Sequence, residues 1–314
     1  MGYHKGVLVE EVIKKLEPKP DKIILDGTVG GATHAKEIAK HISPSGFLIA
    51  LDKDERAIKE AKKVLNDSEC KIKLIKADFV EIDKTCNQLG VEGLDGILLD
   101  LGVSSYQLDQ GERGFSYQHD GPLDMRMDRE QQYSAKDAVN ELSAQELANI
   151  IWKYGEERWS KRIAEKIVEN RKGKRIEKTS ELTQIIKKAI PAKARQKGPH
   201  PAKRTFQALR IYVNQEIEKI ETVLDKGVKL LNPGGRFVVI SFHSLEDRVV
   251  KNKFKEFEKN CFCPPKIPKC ICGATPLGKV LTRKPVQPTK EELEINHRAR
   301  SSKLRAFLKE GSKQ

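Results

Sequence analysis

The sequence predicts an α/β fold in which a doubly wound, mostly parallel sheet is interrupted by an all-helical insert. Short apolar runs rich in β-branched residues alternate with helical patterns over the first hundred residues. This order is typical of a parallel sheet with right-handed crossovers. The next convincing strand pattern comes only at 236–242. A crossover between neighbouring strands needs only about a dozen residues, so we expect a separate helical domain in this long interval.

Five segments carry the strand pattern, each short, apolar and bounded by Gly, Asp or another polar residue. They are 23–26, the run closed by Asp52, Lys71–Ala77, Gly96–Leu101 and Arg236–Phe242. A helical pattern at Ala57–Leu65 separates the second from the third. Ligands of such sheets bind beyond the carboxyl ends of the strands. The residues predicted at those ends are Asp26, Asp52, Asp78 with Phe79, and Asp100.

The stretch from Ile23 to Asp52 joins a strand, a glycine-rich turn, a helix and a second strand. A glycine-rich turn lets the backbone approach a ligand closely, and a helix N-terminus favours negative charge. An acid after the second strand can accept hydrogen bonds from ribose hydroxyls. The stretch therefore predicts a nucleoside-cofactor site. An ordinary β–α turn, with glycine for geometry alone, is the alternative.

The glycine spacing decides between nucleoside cofactors. A dinucleotide pyrophosphate needs G-x-G-x-x-G in fixed register, which Gly27, Gly30 and Gly31 do not keep, and Asp26 would repel it. An acid before a loose glycine turn suits a cofactor that carries an amino group and a sulfonium, as S-adenosylmethionine does. We therefore expect a Rossmann-like sheet of the S-adenosylmethionine methyltransferase type, and a nicotinamide-dependent oxidoreductase is disfavoured.

The composition indicates a polyanionic partner. Of the 314 residues, 38% are hydrophobic and 33% charged, and the formal net charge is +14. Lys and Arg gain affinity by displacing counterions from phosphates, so nucleic acid is the expected partner, with a basic soluble enzyme as the alternative. The N-terminal segment lacks the apolar core of a signal peptide, and no run approaches the roughly 20 apolar residues of a membrane span. We expect a cytoplasmic protein that does not associate with membranes.

The helices of the insert are readable from their caps and apolar spacing. A capping box at 143–146 precedes an apolar stripe, and apolar residues recur every four positions over 159–167. A short helix is predicted at Ser180–Ile190, and a long one from about Thr205 to Leu231 with a single apolar face. The predicted domains are a methyltransferase domain, 1–108 with 208–314, and an inserted loop and helical, RNA-binding domain, 109–207.

The interval Ser104–Tyr133 is rich in Gly and polar residues and shows little periodicity. Long loops of this kind inside compact domains are usually functional or disordered. Because the interval follows the strand that ends at Asp100, we expect it to cover the cofactor edge. Within it, Phe115 and Tyr117 either stack on a base drawn from its helix or pin the loop to the core.

Two basic stretches and a cysteine pattern are further functional candidates. Lys187–Arg204 carries seven basic residues and no acid, and His297–Arg305 is a second basic stretch. We expect both to contact phosphates without reading sequence. Two C-x-C pairs with a six-residue spacer comprise Cys261, Cys263, Cys270 and Cys272. These cysteines either hold a structural zinc ion or remain reduced thiols.

Several motifs in a fixed order resemble one family. It is the family of bacterial methyltransferases that modify N4 of a cytidine in the decoding region of 16S ribosomal RNA. The DLGVSS, GPLDMRMD and ISFHSLEDR motifs are more specific than a lone glycine turn. The similar segments are His4–Val12, Asp26–His34, Gly96–Ser105, Arg113–Asp128, His200–Asn214, Gly235–Arg248, and Thr282–Pro288 with Arg298–Arg305.

The resemblance implies an activity and a set of cofactor contacts. The implied substrate is 16S ribosomal RNA, within the small ribosomal subunit, and a homodimer is left open. Members carry a Gly-Gly-His or Ala-Gly-His turn after the first strand, where this chain has Ala32, Thr33 and His34. The further implied contacts are Asp52 to the ribose, Phe79 to the adenine, and Asp100 and Gln107 to the methionine end.

Catalysis on this substrate needs a hydrogen-bond acceptor, because the cytosine amine is a poor nucleophile. Asp100 is the candidate catalytic residue, although Leu-Gly-Val follows it here and many amino methyltransferases have Pro-Pro-aromatic. Alternatively, Asp100 holds only the cofactor's amino group. His243, with Ser244 at the end of the fifth strand, either relays a proton or holds a loop. The alternative function is a non-catalytic ribosome-assembly protein that binds RNA and retains the fold.

Overall fold

The computed structural model describes residues 6–103, 109–196, 198, 200–261, 263 and 272–311. The chain divides into two compact units, which we call the sheet unit, Met1–Gly102 with Ile217–Gln314, and the helical unit, Val103–Glu216. The predicted functional domains, 1–108 with 208–314 and 109–207, remain a prediction, because compactness alone does not test them.

The strands found in the described residues all belong to the sheet unit. They are β1 Ile23–Asp26, β2 Phe47–Asp52, β3 Lys71–Lys76, β4 Leu94–Asp100, β5 Leu231–Ser241, β6 Gly278–Val280 and β7 Lys303–Lys309. The helices among the described residues are α1 Val9–Leu16, α2 Thr33–Ile42, α3 Glu55–Val64, α4 Ile82–Gln88, α5 Ala135–Glu141, α6 Ala144–Gly155, α7 Ser160–Arg171, α8 Thr179–Ala189, α9 Ala192–Arg195, α10 Lys203–Asn214, α11 Glu216–Leu230, α12 Ser244–Phe257 and α13 Lys290–Ile295.

The seven strands form one sheet in the order β3-β2-β1-β4-β5-β7-β6. The first five in that order are parallel, whereas β7 is antiparallel to both β5 and β6. In the parallel part, Asp26 pairs with Ala50, Asp52 with Lys76, and Asp100 with Ile240. The carboxyl ends of the five parallel strands therefore meet at one edge of the sheet, which we call the carboxyl edge.

Alternate residues of the parallel strands enter two different apolar cores. Ile24, Leu48 and Leu98 pack in one core with residues of α1 and α2. Leu25 and Ile49 pack in the other with residues of α4, α11 and α12. Strands covered on both faces read as nearly continuous apolar runs, which explains the short buried segments of the sequence. The predicted doubly wound, mostly parallel sheet is confirmed.

The helical unit has a core of its own. The predicted capping box is present at the start of α6, where Ser143 N donates to Glu146 Oε2 at 2.8 Å and Glu146 N donates to Ser143 Oγ at 3.2 Å. In α7, Ile163 and Ile167 are fully buried, and Trp159, just before it, packs against the same core.

The prediction of one long helix from Thr205 to Leu231 is wrong. Gln215 adopts a φ of +53° and separates α10 from α11. Just before it, the buried Asn214 side chain donates to Met125 O and accepts from Met127 N, both at 2.8 Å. Its amide thus satisfies the backbone of another segment, and the helix ends there. The apolar stripe is therefore divided between two cores, with Phe206, Leu209 and Val213 in the helical unit and Ile220 and Leu224 in the sheet unit.

The sequence interpretation also missed the two C-terminal strands. Arg305, assigned there to a phosphate-contacting stretch, is only 5% exposed in β7, and its Nε donates to Asp247 Oδ1 at 2.6 Å. The assignment is wrong for Arg305, since this guanidinium is buried and paired with a carboxylate. Arg298 and Arg300 of the same stretch are exposed. Across the described ranges, no helix is long and apolar enough to cross a membrane.

Candidate active site

The glycine-rich turn after β1 is held close to β4. Gly27 N donates to Leu98 O at 2.9 Å. A Cβ added at Gly27 would lie 2.6 Å from Leu99 Cδ2 and 3.2 Å from Phe79 Cβ. Only glycine fits there without displacing a neighbour, so the turn and the Phe79 side chain are placed against each other.

The turn reaches α2 through two left-handed residues. Gly30 has a φ of +47° and the buried Ala32 a φ of +59°. Thr33 is the first residue of α2, and a helical backbone accepts threonine at little cost. Thr33, which stands where the family has glycine, therefore adopts an ordinary helical backbone conformation.

Asp26 ends β1 as a buried carboxyl group. One of its oxygens accepts from Thr28 N at 3.0 Å. Burial raises the pKa of Asp26 to about 7, and the carboxylates of Asp100 and Asp52 add to the rise. The hydrogen bond from Thr28 and the nearby His34 act in the opposite direction. Near neutral pH this group can therefore change its charge in response to a ligand.

Asp52 ends β2 and holds the backbone around it. Its Oδ2 accepts from Gly30 N at 3.0 Å and its Oδ1 from Asp54 N at 2.9 Å. Burial raises the pKa of Asp52, although both hydrogen bonds lower it. Each carboxylate oxygen has a second lone pair, so Asp52 can still accept hydrogen bonds from ribose hydroxyls.

Asp78 and Phe79 follow β3. Asp78 accepts from Lys219 Nζ at 2.6 Å and from Val80 N at 3.2 Å. Burial disfavours its charge, but the neighbouring Lys53 and Lys219 outweigh burial and lower the pKa of Asp78. This fixed carboxylate orients the short 3₁₀ turn Phe79–Glu81, in which Phe79 is half-buried.

Asp100 ends β4 beside His34 from α2. Its Oδ2 lies 3.6 Å from His34 Nε2, and its backbone N donates to Thr28 Oγ1 at 2.6 Å. His34 is 7% exposed, and neither of its ring nitrogens nor Asp100 Oδ1 has a hydrogen-bond partner among the described residues. Buried polar atoms are normally satisfied, so these atoms are candidates for hydrogen bonds to a ligand.

The protonation of His34 depends on the surrounding acids. Burial disfavours the imidazolium, but Asp100 and Asp26 outweigh it and raise the pKa of His34 above its ordinary value. The carboxyl edge therefore combines three acids and one histidine whose charges are coupled.

His243 follows β5 and begins α12. Its Nδ1 accepts from Glu246 N at 3.4 Å, and Glu246 Oε2 accepts from Phe242 N at 2.8 Å. The Nε2 of His243 lies 3.1 Å from Glu246 Oε1. These contacts form a helix cap, as expected if His243 holds the loop.

The structure gathers most of the predicted site residues at the carboxyl edge. Ala32, Thr33 and His34 form the turn and the start of α2, Asp52 and Asp100 end β2 and β4, and Phe79 follows β3. Gln107 lies outside the described residues. The pairing of His34 with Asp100 and the role of Thr28 were not predicted, and the spacing of these residues along the chain gives no signal for them.

The helical unit supplies the loop aromatics. Phe115 is buried in its core. Tyr117 stacks on His200 with ring centroids 4.7 Å apart and meets the edge of Phe206 at 5.9 Å. These contacts match the interpretation that the aromatic residues pin the loop.

The basic stretch of the helical unit is open to solvent. Lys197 of this stretch lies outside the described residues. The exposed members, which we call the basic surface, are Lys187, Lys188, Lys193, Arg195, Lys203 and Arg204.

Comparison with known proteins gives matches over nearly the whole chain. The sequence model of the MraW methylase family matches residues 1–310. A protein from Acetivibrio thermocellus named ribosomal RNA small subunit methyltransferase H is 55% identical over 308 residues, covering 98% of each chain. Proteins of the same name from Clostridioides difficile and Brevibacillus brevis are each 50% identical over 307 residues, covering 98% of this chain and 99% and 98% of theirs.

Proposed function

The chain belongs to the MraW methylase family, and we propose that it methylates the N4 exocyclic amine of a cytidine in the decoding region of 16S ribosomal RNA. It is an S-adenosylmethionine-dependent methyltransferase of ribosomal RNA, in keeping with the family and with the names of its curated relatives. The observation that carries the proposal is the convergence of Asp26, Asp52 and Asp100 with His34 at the carboxyl edge.

The residues at this edge fit the cofactor. Buried Asp26 and half-buried Asp52 have raised pKa values because their charges are poorly solvated, and a cationic ligand would relieve that cost. The buried atoms of His34 and Asp100 that lack partners within the described ranges offer further polar contacts. When bound, S-adenosylmethionine supplies an electrophilic methyl group on a positively charged sulfur.

Each residue at the edge has a proposed binding role. Asp52 accepts hydrogen bonds from the ribose, and the half-buried Phe79 packs beside the adenine. The backbone of the turn through Ala32 and Thr33 faces the rest of the cofactor. Gln107, outside the described residues, remains proposed for the methionine end.

Asp100 has the proposed catalytic role. Its carboxylate accepts a hydrogen bond from the cytosine amine, which draws electron density onto the nitrogen and prepares for loss of the proton. His34, whose Nε2 lies 3.6 Å from Asp100 Oδ2, orients this carboxylate. His34 is thus a positioning residue, and its test is a shift in the pH profile of methyl transfer.

The basic surface supports the choice of a large RNA substrate. Six exposed cationic side chains on one segment provide affinity for phosphates without sequence readout. We propose that this surface contacts 16S ribosomal RNA within the small subunit and that the protein acts in the cytoplasm, with a homodimer as one of two assembly states that sedimentation distinguishes. Comparing the methylation of free RNA with that of small subunits tests the form of the substrate. Sedimentation of the purified protein tests the oligomeric state.

The decisive experiment maps methylated nucleosides in ribosomal RNA from cells that lack this protein. We expect one N4-methylated cytidine of the decoding region to disappear, to return with the wild-type gene, and to remain absent with the Asp100→Asn variant. An unchanged methylation pattern in the deletion strain would refute the proposal. Restoration by Asp100→Asn would refute only the catalytic role of Asp100.

A further inference from the structure

A long connection in the sheet unit closes on itself between α12 and β6. At its two ends, Leu277 N donates to Phe257 O at 2.7 Å, and Val280 N donates to Glu258 Oε1 at 2.9 Å. We propose that Cys261, Cys263 and Cys272 within this connection bind a structural zinc ion.

The three thiol groups converge in the fold. The Sγ atoms of Cys261, Cys263 and Cys272 all lie within 4.8 Å of one another, and those of Cys261 and Cys272 are 3.9 Å apart. Sulfur ligands about 2.3 Å from a tetrahedral zinc ion are separated by roughly 3.8 Å. A disulfide would instead place two sulfurs about 2.05 Å apart. The observed spacing therefore matches ligands of one ion better than a disulfide pair.

The surroundings of the sulfurs also suit thiolates. Cys263 N donates to Cys261 Sγ at 3.4 Å, the kind of N–H···S contact that stabilises a metal-bound thiolate. Cys261 and Cys272 are exposed and Cys263 is half-buried, so an ion can reach them from solvent. Soft thiolate ligands favour zinc or iron–sulfur clusters over magnesium or calcium. In the sequence, Cys270 offers a fourth thiol; it lies outside the described residues, and the proposal does not depend on it.

Two other cysteines provide an internal contrast. Cys70 and Cys86 are buried, and burial raises the pKa of both thiols, that of Cys86 to about 11. They remain protonated at neutral pH and pack in the two apolar cores of the sheet unit. They are therefore suitable control positions for a metal-binding experiment.

The position of the three cysteines indicates that the zinc ion has a structural role and takes no part in methyl transfer. Helix α12 begins after His243 at the carboxyl edge and has 14 residues, which corresponds to about 21 Å. The cysteines follow its far end, so the ion lies well away from the proposed methyl-transfer site. Zinc would hold together the connection that leads into β6, which is the last strand of the sheet order and, within the described part of the chain, pairs only with β7.

The first test is the metal content of the full-length wild-type chain, produced without a histidine tag and purified under reducing conditions. We expect about one zinc per chain by plasma mass spectrometry. Replacement of the zinc by Co²⁺ should give the absorption of a tetrahedral thiolate site. Chains without zinc, chains with a Cys261–Cys272 disulfide, or chains with iron and sulfide would each overturn the proposal.

The second test uses single Cys→Ala substitutions. At Cys261, Cys263 and Cys272 we expect zinc content to fall to about a tenth or less, whereas Cys70→Ala and Cys86→Ala should retain it. Binding of S-adenosylhomocysteine by the zinc-free variants serves as a check that the sheet is folded. Full zinc content in a triple variant of the three cysteines would place the metal elsewhere and overturn the assignment.

Discussion

The carboxyl edge of the sheet unit and the basic surface of the helical unit present opposite kinds of charge. At the edge, Asp26 is buried and Asp52 and Asp100 are half-buried, and the charges of these few groups are coupled to one another and to His34. On the basic surface the charges are exposed, numerous and all of one sign. The difference suggests that each charge at the edge has its own chemical role, whereas the surface acts through the sum of its charges.

The largest effect that follows from this contrast is expected for Asp100→Asn. With saturating cofactor, we expect the single-turnover rate of methyl transfer to fall about 100-fold, because the amide is a poor proton acceptor. Asp95→Asn is a matched control, since Asp95 lies at the opposite end of β4 and pairs with Lys22 at 3.0 Å. An unchanged rate for Asp100→Asn would mean that Asp100 only binds the cofactor.

The second prediction concerns the close approach at Gly27. Gly27→Ala should force Leu99 and Phe79 apart at a cost of about 1–3 kcal/mol, and we expect cofactor affinity by calorimetry to fall about tenfold. The matched control is Gly31→Ala, because a Cβ there meets nothing within 4 Å. Equal affinity in the two variants would show that the position of Phe79 does not affect binding.

The third prediction addresses the basic surface. Replacing Lys188, Lys193 and Arg195 by Ala should weaken RNA binding about tenfold at moderate salt and reduce the slope of log affinity against log salt by about 2. The control replaces three exposed lysines of α3 in the sheet unit, namely Lys59, Lys62 and Lys63. If both triple variants change the slope equally, the helical unit has no special part in RNA binding.

The smallest effect is a pH dependence of cofactor binding. The pKa of Asp26 is raised to about 7 and that of His34 is also raised. As the pH rises through about 7, Asp26 loses its proton and the edge becomes more negative, so affinity for cationic S-adenosylmethionine should rise several-fold. Calorimetry with Asp26→Asn should give a flatter profile, and neutral S-adenosylhomocysteine a weaker dependence. A flat wild-type profile would contradict the coupling.

The raised pKa of Asp26 also affects the free energy of unfolding. A rise in pH favours cofactor binding but lowers the stability of the folded protein. Because folded Asp26 holds its proton up to about pH 7, against an ordinary value of 3.8, the folded state binds more protons than the unfolded state between those values. The contribution of Asp26 to the free energy of unfolding therefore decreases as pH rises through this interval. Denaturant titrations of the wild type and Asp26→Asn without cofactor check this sign.

The sheet and its acidic strand ends were predictable because their signals are local and repetitive. A short apolar run closed by Asp marks both a buried parallel strand and the edge at which it ends. The confirmed family followed from longer motifs such as ISFHSLEDR. The capping box of α6 was equally readable, since Ser143 and Glu146 satisfy each other within one turn.

Other features were not predictable because they depend on distant contacts. The break at Gln215 follows a buried Asn214 that binds the backbone near Met125 and Met127, and the apolar stripe continues through the break. From its sequence alone, the charged strand β7 resembles a phosphate-binding tail. The structure places Asp247 beside Arg305, so this guanidinium pairs with a carboxylate instead. The pairing of His34 with Asp100 likewise arises only when α2 and β4 are brought together.

The position of β7 between β5 and β6 has a consequence for how the chain acquires its structure on the ribosome. The helical unit is a continuous segment, Val103–Glu216, so all of its residues are synthesised before β5. Among the described residues, β6 pairs only with β7, so it has no partner until Lys303–Lys309 emerges. We therefore expect nascent chains to gain protease resistance first in the helical unit. Truncation before Lys303 should leave β5 with an open edge that promotes aggregation.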